Sequence, residues 1–105
     1  MKGSLGMGKE KRDKTQSYVD ALKHPLRRRI LRLAVDRNQE LSPVQLSRDL
    51  DERLSNVSYH VRVLADHGLL ALASQRPRRG AVEHFYVLSP AALEHPMVKA
   101  ILEEV

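Results

Sequence analysis

The sequence has no cysteine among its 105 residues. That excludes a disulfide scaffold, a thiolate zinc site and a cysteine nucleophile, leaves stability to packing, and points to a reducing compartment. No apolar run approaches the ~18 residues of a membrane span. Residues 1–14 are Gly- and Lys-rich without the continuous apolar stretch of a secretory signal, so the expected location is cytoplasmic, with no membrane partner. There is also no Gly-x-Ser-x-Gly elbow, no phosphate-binding glycine loop, no His-Glu-x-x-His and no carboxylate pair in an evident cleft. No catalytic residue and no cofactor is therefore expected, and an enzyme is the weakest reading.

What remains is enough for one small core. The length suits a single domain, and 42% of the residues are apolar, which meets the burial such a chain needs. Eighteen Lys and Arg face thirteen Asp and Glu, a net charge of +5 that favours a polyanionic partner without identifying one. The charge is unevenly placed. Lys2, Lys9, Lys11, Arg12 and Lys14 outnumber Glu10 and Asp13 over a stretch with little to bury, so residues 1–14 read as a disordered basic arm and residues 15–105 as the folded domain. The chain's end, with Lys99 against Glu94, Glu103 and Glu104, is acidic and should face away from a polyanion.

Periodicity places the elements. Thr15 to Lys23 reads as a short helix with Tyr18, Val19 and Leu22 on its apolar side. Pro25 suits the first position of a second helix, along which Leu26, Ile30, Leu33 and Ala34 form a core stripe. Arg27, Arg28, Arg29 and Arg32 lie largely off that stripe, either as a solvated face or as phosphate contacts. Ser42-Pro43-Val44-Gln45 has the form of a capping box with proline at the first helical position. After a turn at Asp51 to Arg53, Leu54, Val57, Val61 and Leu64 set the core side of a helix over residues 54–67, which Gly68 ends. Strands over 69–74 and 81–88 flank a basic six-residue tip, residues 75–80. Ser89-Pro90 starts a last helical stretch, interrupted at Pro96, with Val98, Ile101, Leu102 and Val105 as its stripe. The expected fold is mostly α with a small β-hairpin (α+β), in the order α-α-α-α-β-β-α of a winged helix-turn-helix.

The functional argument rests on the fourth helix. With Val57 set at 0°, Val61, Leu64 and Leu54 fall within about 60° of it, while Ser55, Tyr59 and Arg62 fall at roughly 140–200° with Ser58 on the flank. Hydroxyls, a phenol and a guanidinium suit base edges and phosphates in a major groove. From Arg53 to Ala65 there is no acid, and none from His67 to Val82. At the tip, Arg76, Arg78 and Arg79 would repel one another unless an anion lay between them. The expected contacts to double-stranded DNA are thus Gln45, Ser55, Asn56, Ser58, Tyr59, His60, Arg62, Arg76, Arg78 and Arg79. His60 has a second reading, as a residue that fixes the helix, and His24 and His84 read as structural.

Two segments carry a family resemblance. Asn56-Val57-Ser58-Tyr59-His60-Val61-Arg62-Val63-Leu64-Ala65-Asp66-His67-Gly68-Leu69-Leu70 resembles the recognition helix and strand entry of the arsenical-resistance-repressor (ArsR-like) winged-helix regulators. His24-Pro25-Leu26-Arg27-Arg28-Arg29-Ile30-Leu31 is similar to the opening of that family's second helix. The resemblance spans about residues 17–88. It implies a dimeric, DNA-binding transcriptional regulator, usually prokaryotic, with the helix carrying Ser58, Tyr59 and Arg62 in the major groove and the hairpin along a flank. It also implies a dimer interface from the terminal helices, here Tyr18, Val19, Leu22, Val98, Ile101, Leu102 and Val105; the alternative is that these pack within one chain. The family's metal sensors use paired cysteines or Asp, His and Glu on the last helix. This chain has no cysteine, and that helix has only Glu94, His95, Glu103 and Glu104, so no metal is expected. Nor could His60 and His67 share one ion, because two helical turns part them by about 10 Å.

The leading expectation is a homodimeric regulator, a repressor, on a pseudo-palindromic operator. A winged helix that binds another protein instead of DNA is the alternative, since a fold does not fix a function. The sequence names neither an operator nor a small-molecule effector.

Overall fold

The computed structural model describes residues 14–104. The arm expected over residues 1–14 lies, Lys14 excepted, outside them, as does Val105. Helix α1 covers residues 14–21 of the described chain, and Lys14 is already helical. It is followed by α2 (Pro25–Arg37), α3 (Pro43–Leu50), α4 (Leu54–Asp66), β1 (Leu70–Arg78), β2 (Ala81–Leu88), α5 (Pro90–Glu94) and α6 (Pro96–Glu103). The order is that of a winged helix-turn-helix, with the last helical stretch divided in two at His95-Pro96, where proline cannot donate to the preceding turn.

Most helix boundaries are set by short local signals. Ser42 accepts from the Gln45 N–H at 3.3 Å while the Gln45 Oε1 accepts from the Ser42 N–H at 2.8 Å, a complete capping box. Two helices start on a His-Pro pair. His24 Nδ1 accepts from the Leu26 N–H at 3.1 Å, and His95 Nδ1 from the Met97 N–H at 3.2 Å, each before a proline at the first helical position. Helix α4 gives way to the sheet through Gly68, whose φ of 82° is in the left-handed region that glycine enters without cost.

One core joins all these pieces. Ile30 and Leu31 from α2, Leu46 from α3, Val57, Val61 and Leu64 from α4, Leu69, and Val98 from α6 are fully buried. Each such side chain contributes about 1.5–3 kcal/mol relative to exposure. Leu54, expected on the core stripe of α4, is exposed instead. It sits at the first helical position, on the open cleft that α4 forms with the start of α3 and with β2.

The terminal stripe is also corrected. Tyr18, Leu22, Val98 and Leu102 are buried against their own chain, so they are core residues of one subunit; only Val19 and Ile101 of the described stripe remain half-exposed. Helix α1 is held down by polar contacts as well. Arg27 Nε donates to the Ala21 carbonyl and Arg28 Nη1 to the Leu22 carbonyl, both at 2.6 Å, which satisfies the otherwise unpaired C-terminal carbonyls of α1. At the other end, Ser17 and His67 Nδ1 share a 2.6 Å hydrogen bond. His95, whose Nδ1 is occupied as an acceptor, donates from Nε2 to the Thr15 hydroxyl at 3.0 Å.

The hairpin differs from its expected form. β1 continues through Arg78, and the loop is the two-residue Arg79-Gly80 turn rather than the six residues 75–80. Both residues have positive φ, 52° and 81°, the signature of a type I′ turn that matches the twist of the strands. A bulge lies between Leu72 and Ser74, and Leu41 pairs with Tyr86 through two 2.9 Å backbone hydrogen bonds, which ties the wing's base to the approach to α3.

Candidate nucleic-acid interface

Helices α3 and α4 form the helix-turn-helix, hinged at Asp51, which takes up a left-handed φ of 54°. Because Val57, His60, Val61 and Leu64 point inward, the opposite side of α4 is left to solvent. Ser55, Asn56, Tyr59 and Arg62 are exposed there and Ser58 is half-buried. Tyr59 is 57% exposed and meets His60 edge-on, with ring centroids 5.1 Å apart. Asn56 donates to Glu52 at 3.4 Å, leaving its carbonyl oxygen open. No acid lies on this face between Arg53 and Asp66.

His60 is a correction to the expected contact set. It is only 5% exposed, stacks on His24 at 4.2 Å between centroids, and accepts from Arg27 at 3.4 Å. Burial first, then the neighbouring His24 and Arg27, holds its pKa below the ordinary histidine value. A neutral, buried ring joins α2 to α4 and presents nothing to a groove. Gln45 is half-buried and commits its amide oxygen to the capping box, so only its amide nitrogen is open to a partner.

The wing approaches α4 closely. Arg62 and Ser58 from the helix, and Val82, His84 and Tyr86 from β2, line a cleft of about 220 Å³ that also takes in Leu54. His84 and Val82 were not among the expected contacts. Their signal is the strand alternation, which puts residues 82, 84 and 86 on one face.

Three arginines occupy the end of the wing, and their surroundings differ from the bare cluster the sequence suggests. Arg76 lies over the Phe85 ring at 4.3 Å and 3.7 Å from a Glu40 carboxylate oxygen. Arg78 pairs with Glu83 at 3.0 Å. Ser74 fixes Glu40 by donating to it at 2.6 Å, and the Ser42 hydroxyl, then Arg78, holds the Glu83 carboxyl below the usual carboxylate range. Among the described residues only Arg79 of the three has no ion pair. Mutual repulsion is therefore relieved inside the protein, by acids outside the acid-free stretches. Glu83 was within reach of sequence reasoning: an Arg79-Gly80 turn sets the register that puts it opposite Arg76.

Comparison with known proteins agrees with this architecture. Residues 22–73 match the family model described as a helix-turn-helix domain. HlyU from Vibrio cholerae N16961 is 30% identical, superposes with a TM-score of 0.60, and aligns over 87% of this chain and 86% of its own. The chain belongs to the ArsR-like winged helix-turn-helix regulators. The transcriptional regulator HlyU from Vibrio vulnificus CMCP6 is 26% identical over 96% of this chain and 93% of its own, with a TM-score of 0.58. A third structure shares the fold at 17% identity and a TM-score of 0.60, covering 88% of this chain and 74% of its own. It is the homodimeric winged helix-turn-helix DNA-binding domain of Mb0332 from Mycobacterium bovis, a possible ArsR-family transcriptional regulator. No curated protein sequence matches.

Membership makes this ArsR-like chain a winged-helix transcriptional regulator, a class whose surface is built for DNA. Among its described residues, no three His, Asp or Glu side chains gather closely enough to hold a metal ion, and no helix is long and apolar enough to cross a membrane.

Proposed function

We propose that this regulator acts in the cytoplasm as a homodimeric repressor that occupies a pseudo-palindromic operator. The observation that carries the reading is the outward face of α4, where Ser55, Asn56, Tyr59 and Arg62 stand exposed beside the arginine-bearing wing. Arg62 suits a guanine, to which a guanidinium can donate two hydrogen bonds; the serines and Asn56 suit neighbouring base edges or phosphates. The wing arginines suit the flanking backbone, which fixes position without reading sequence.

The groove of about 480 Å³ beside the termini supports a dimer. Val19, Ile101 and Pro25 give it an apolar floor, and Lys23, Arg29 and Glu104 surround it. The homodimer described for the Mycobacterium bovis domain supports this assignment. Two α4 helices would meet successive major grooves about 34 Å apart. A winged helix that binds protein instead of DNA would favour an apolar outward face on α4, and the face here is largely polar.

Binding-site selection on random duplexes, followed by titration at several salt concentrations, tests the proposal. Enrichment of an inverted repeat and an affinity that falls steeply with salt are expected. Arg62→Ala should flatten the preference at one base pair in each half-site. No binding, or binding indifferent to salt, would overturn the reading.

A further inference from the structure

The wing's two ion pairs are asymmetric. The Arg78 side chain is 57% exposed while that of Glu83 is only 12% exposed. Glu40 is likewise more enclosed than Arg76, and Ser74 holds it in place. In each pair the carboxylate is the more enclosed partner, Glu40 on the body and Glu83 on β2 of the wing, and the guanidinium can swing away. Glu83 also borders the cleft that takes in Pro43 and Val44 of α3 and Ser58 and Arg62 of α4, so it sits beside the helix-turn-helix itself. Glu40 precedes Leu41, which is bonded to β2.

An arginine that contacts a DNA phosphate from this state must first give up a carboxylate. The exchange replaces one anion by another, so it gains less than the capture of a phosphate by a free guanidinium. It also leaves the carboxylate in place beside the polyanion. Binding to unrelated sequence consists almost wholly of such phosphate contacts, and it would draw on every cation that can move freely. Held on their acids, Arg76 and Arg78 can offer phosphate contacts only from a narrow set of poses.

From this geometry we infer that Glu40 and Glu83 are positioning residues that limit affinity: they hold Arg76 and Arg78 in a preset wing and restrain sequence-independent attraction to DNA. Arg79, at the turn and without an ionic partner among the described residues, supplies the unrestrained phosphate contact. The inference rests on the DNA-binding reading above and adds to it an internal control on selectivity.

Glutamine substitution separates charge from shape, because the amide oxygen still accepts from Arg78 at position 83 and from Ser74 at position 40. The test measures binding of the full chain to a mixed-sequence 30-base-pair duplex by fluorescence polarisation across a salt series, with Glu40→Gln, Glu83→Gln and the double variant. Each single variant is expected to bind about 2–5-fold more tightly at low salt, the scale of an exposed ion pair. The salt slope should steepen by up to about one unit per released arginine. In the wild-type background, Arg79→Gln should weaken binding more than Arg78→Gln does, a difference that a purely structural role for Glu83 would not produce. Thermal melts of each variant establish that it is folded, and the two acids, on separate segments, give independent readings. If the wild type binds with normal salt dependence while both glutamine variants keep its affinity and slope, or bind more weakly, the inference falls and the DNA reading stands. If the wild type binds no duplex at any salt, both fall together.

Discussion

Leu22 provides the sharpest separation between the core of one subunit and the contact between two. It is 2% exposed within a single chain and sits at the end of α1, beneath the carbonyl that Arg28 holds. Leu22→Ala removes three carbon atoms from a closed site. At about 0.8 kcal/mol for each buried carbon, transfer alone costs roughly 2.4 kcal/mol. The cavity left by incomplete relaxation raises the expected loss to about 3–4 kcal/mol. For a domain of this size, whose total stability is on the order of 5–15 kcal/mol, that is a large share. It corresponds to a fall in Tm on the order of 15–20 °C. Urea unfolding monitored by circular dichroism should show a lower midpoint at unchanged slope. Leu22 also borders the groove proposed for the contact, but at 2% exposure it offers almost no surface there, so sedimentation should find the subunit association of the folded variant near that of the wild type. Ile101→Ala is the counterpart: half-exposed on the groove, it should cost little within the chain and weaken association. A Leu22→Ala unfolding free energy within about 0.5 kcal/mol of the wild type would refute the packing assignment. So would a loss of association under conditions where the variant remains folded.

Three further outcomes follow from local features. His60 has a pKa held below its ordinary 6.5, so as pH falls below that value the unfolded chain binds a proton the folded protein refuses, and stability declines. His60→Gln should flatten its share of that decline, measured as urea midpoints between pH 7 and pH 5; an unchanged slope would exclude the assignment. Ser42→Ala removes the cap of α3 at a fully buried position and should cost about 1 kcal/mol, with a melt identical to wild type as the contrary result. Gly80→Val places a side chain in open space but at a φ of 81°, so its cost of at least 1–2 kcal/mol comes from the backbone alone. Faster amide exchange confined to the ends of β1 and β2 is expected, and unaltered exchange there would count against the tight turn.

What the sequence made legible was carried by residues close to one another along the chain. The Ser42–Gln45 capping box, Pro25 before its helix and Gly68 after α4 act across a few positions. The 3.6-residue period of Val57, Val61 and Leu64 marks the buried side of α4 and, by subtraction, the side that carries Tyr59 and Arg62. The misread features depend on pairings or on alternatives of equal periodicity. A stripe such as Val98, Ile101 and Leu102 has the same spacing whether α1 of its own chain or a second subunit covers it. His60 falls about 60° from Val57, the same margin as Leu54, and a residue at the edge of the stripe is assigned by its partners, here His24 and Arg27. The wing's register turned on treating Arg79-Gly80 as a complete two-residue turn, which moves Arg76 and Arg78 from a loop into a ladder.

The same distinction changes what a net charge of +5 means. Formal charge treats every arginine alike, whereas the fold sorts them by what they face. Arg27 and Arg28 neutralise the carbonyl end of α1 and stabilise the docking of that helix. Arg37 is held 2.6 Å from Asp49, and Arg32 lies 3.4 Å from Asp36. Arg76 and Arg78 are poised against acids, leaving Arg53, Arg62 and Arg79 as the cations at the recognition face and wing tip that have no ion pair among the described residues. A protein that met DNA through an undivided basic surface would bind every sequence. Here seven of the fourteen described basic residues are engaged within the chain, five in ion pairs and Arg27 and Arg28 on carbonyls, and the guanidinium best placed to discriminate between bases stands on the exposed face of α4. The capacity for selectivity therefore lies less in the excess of basic residues than in which of them are left unpaired, and where.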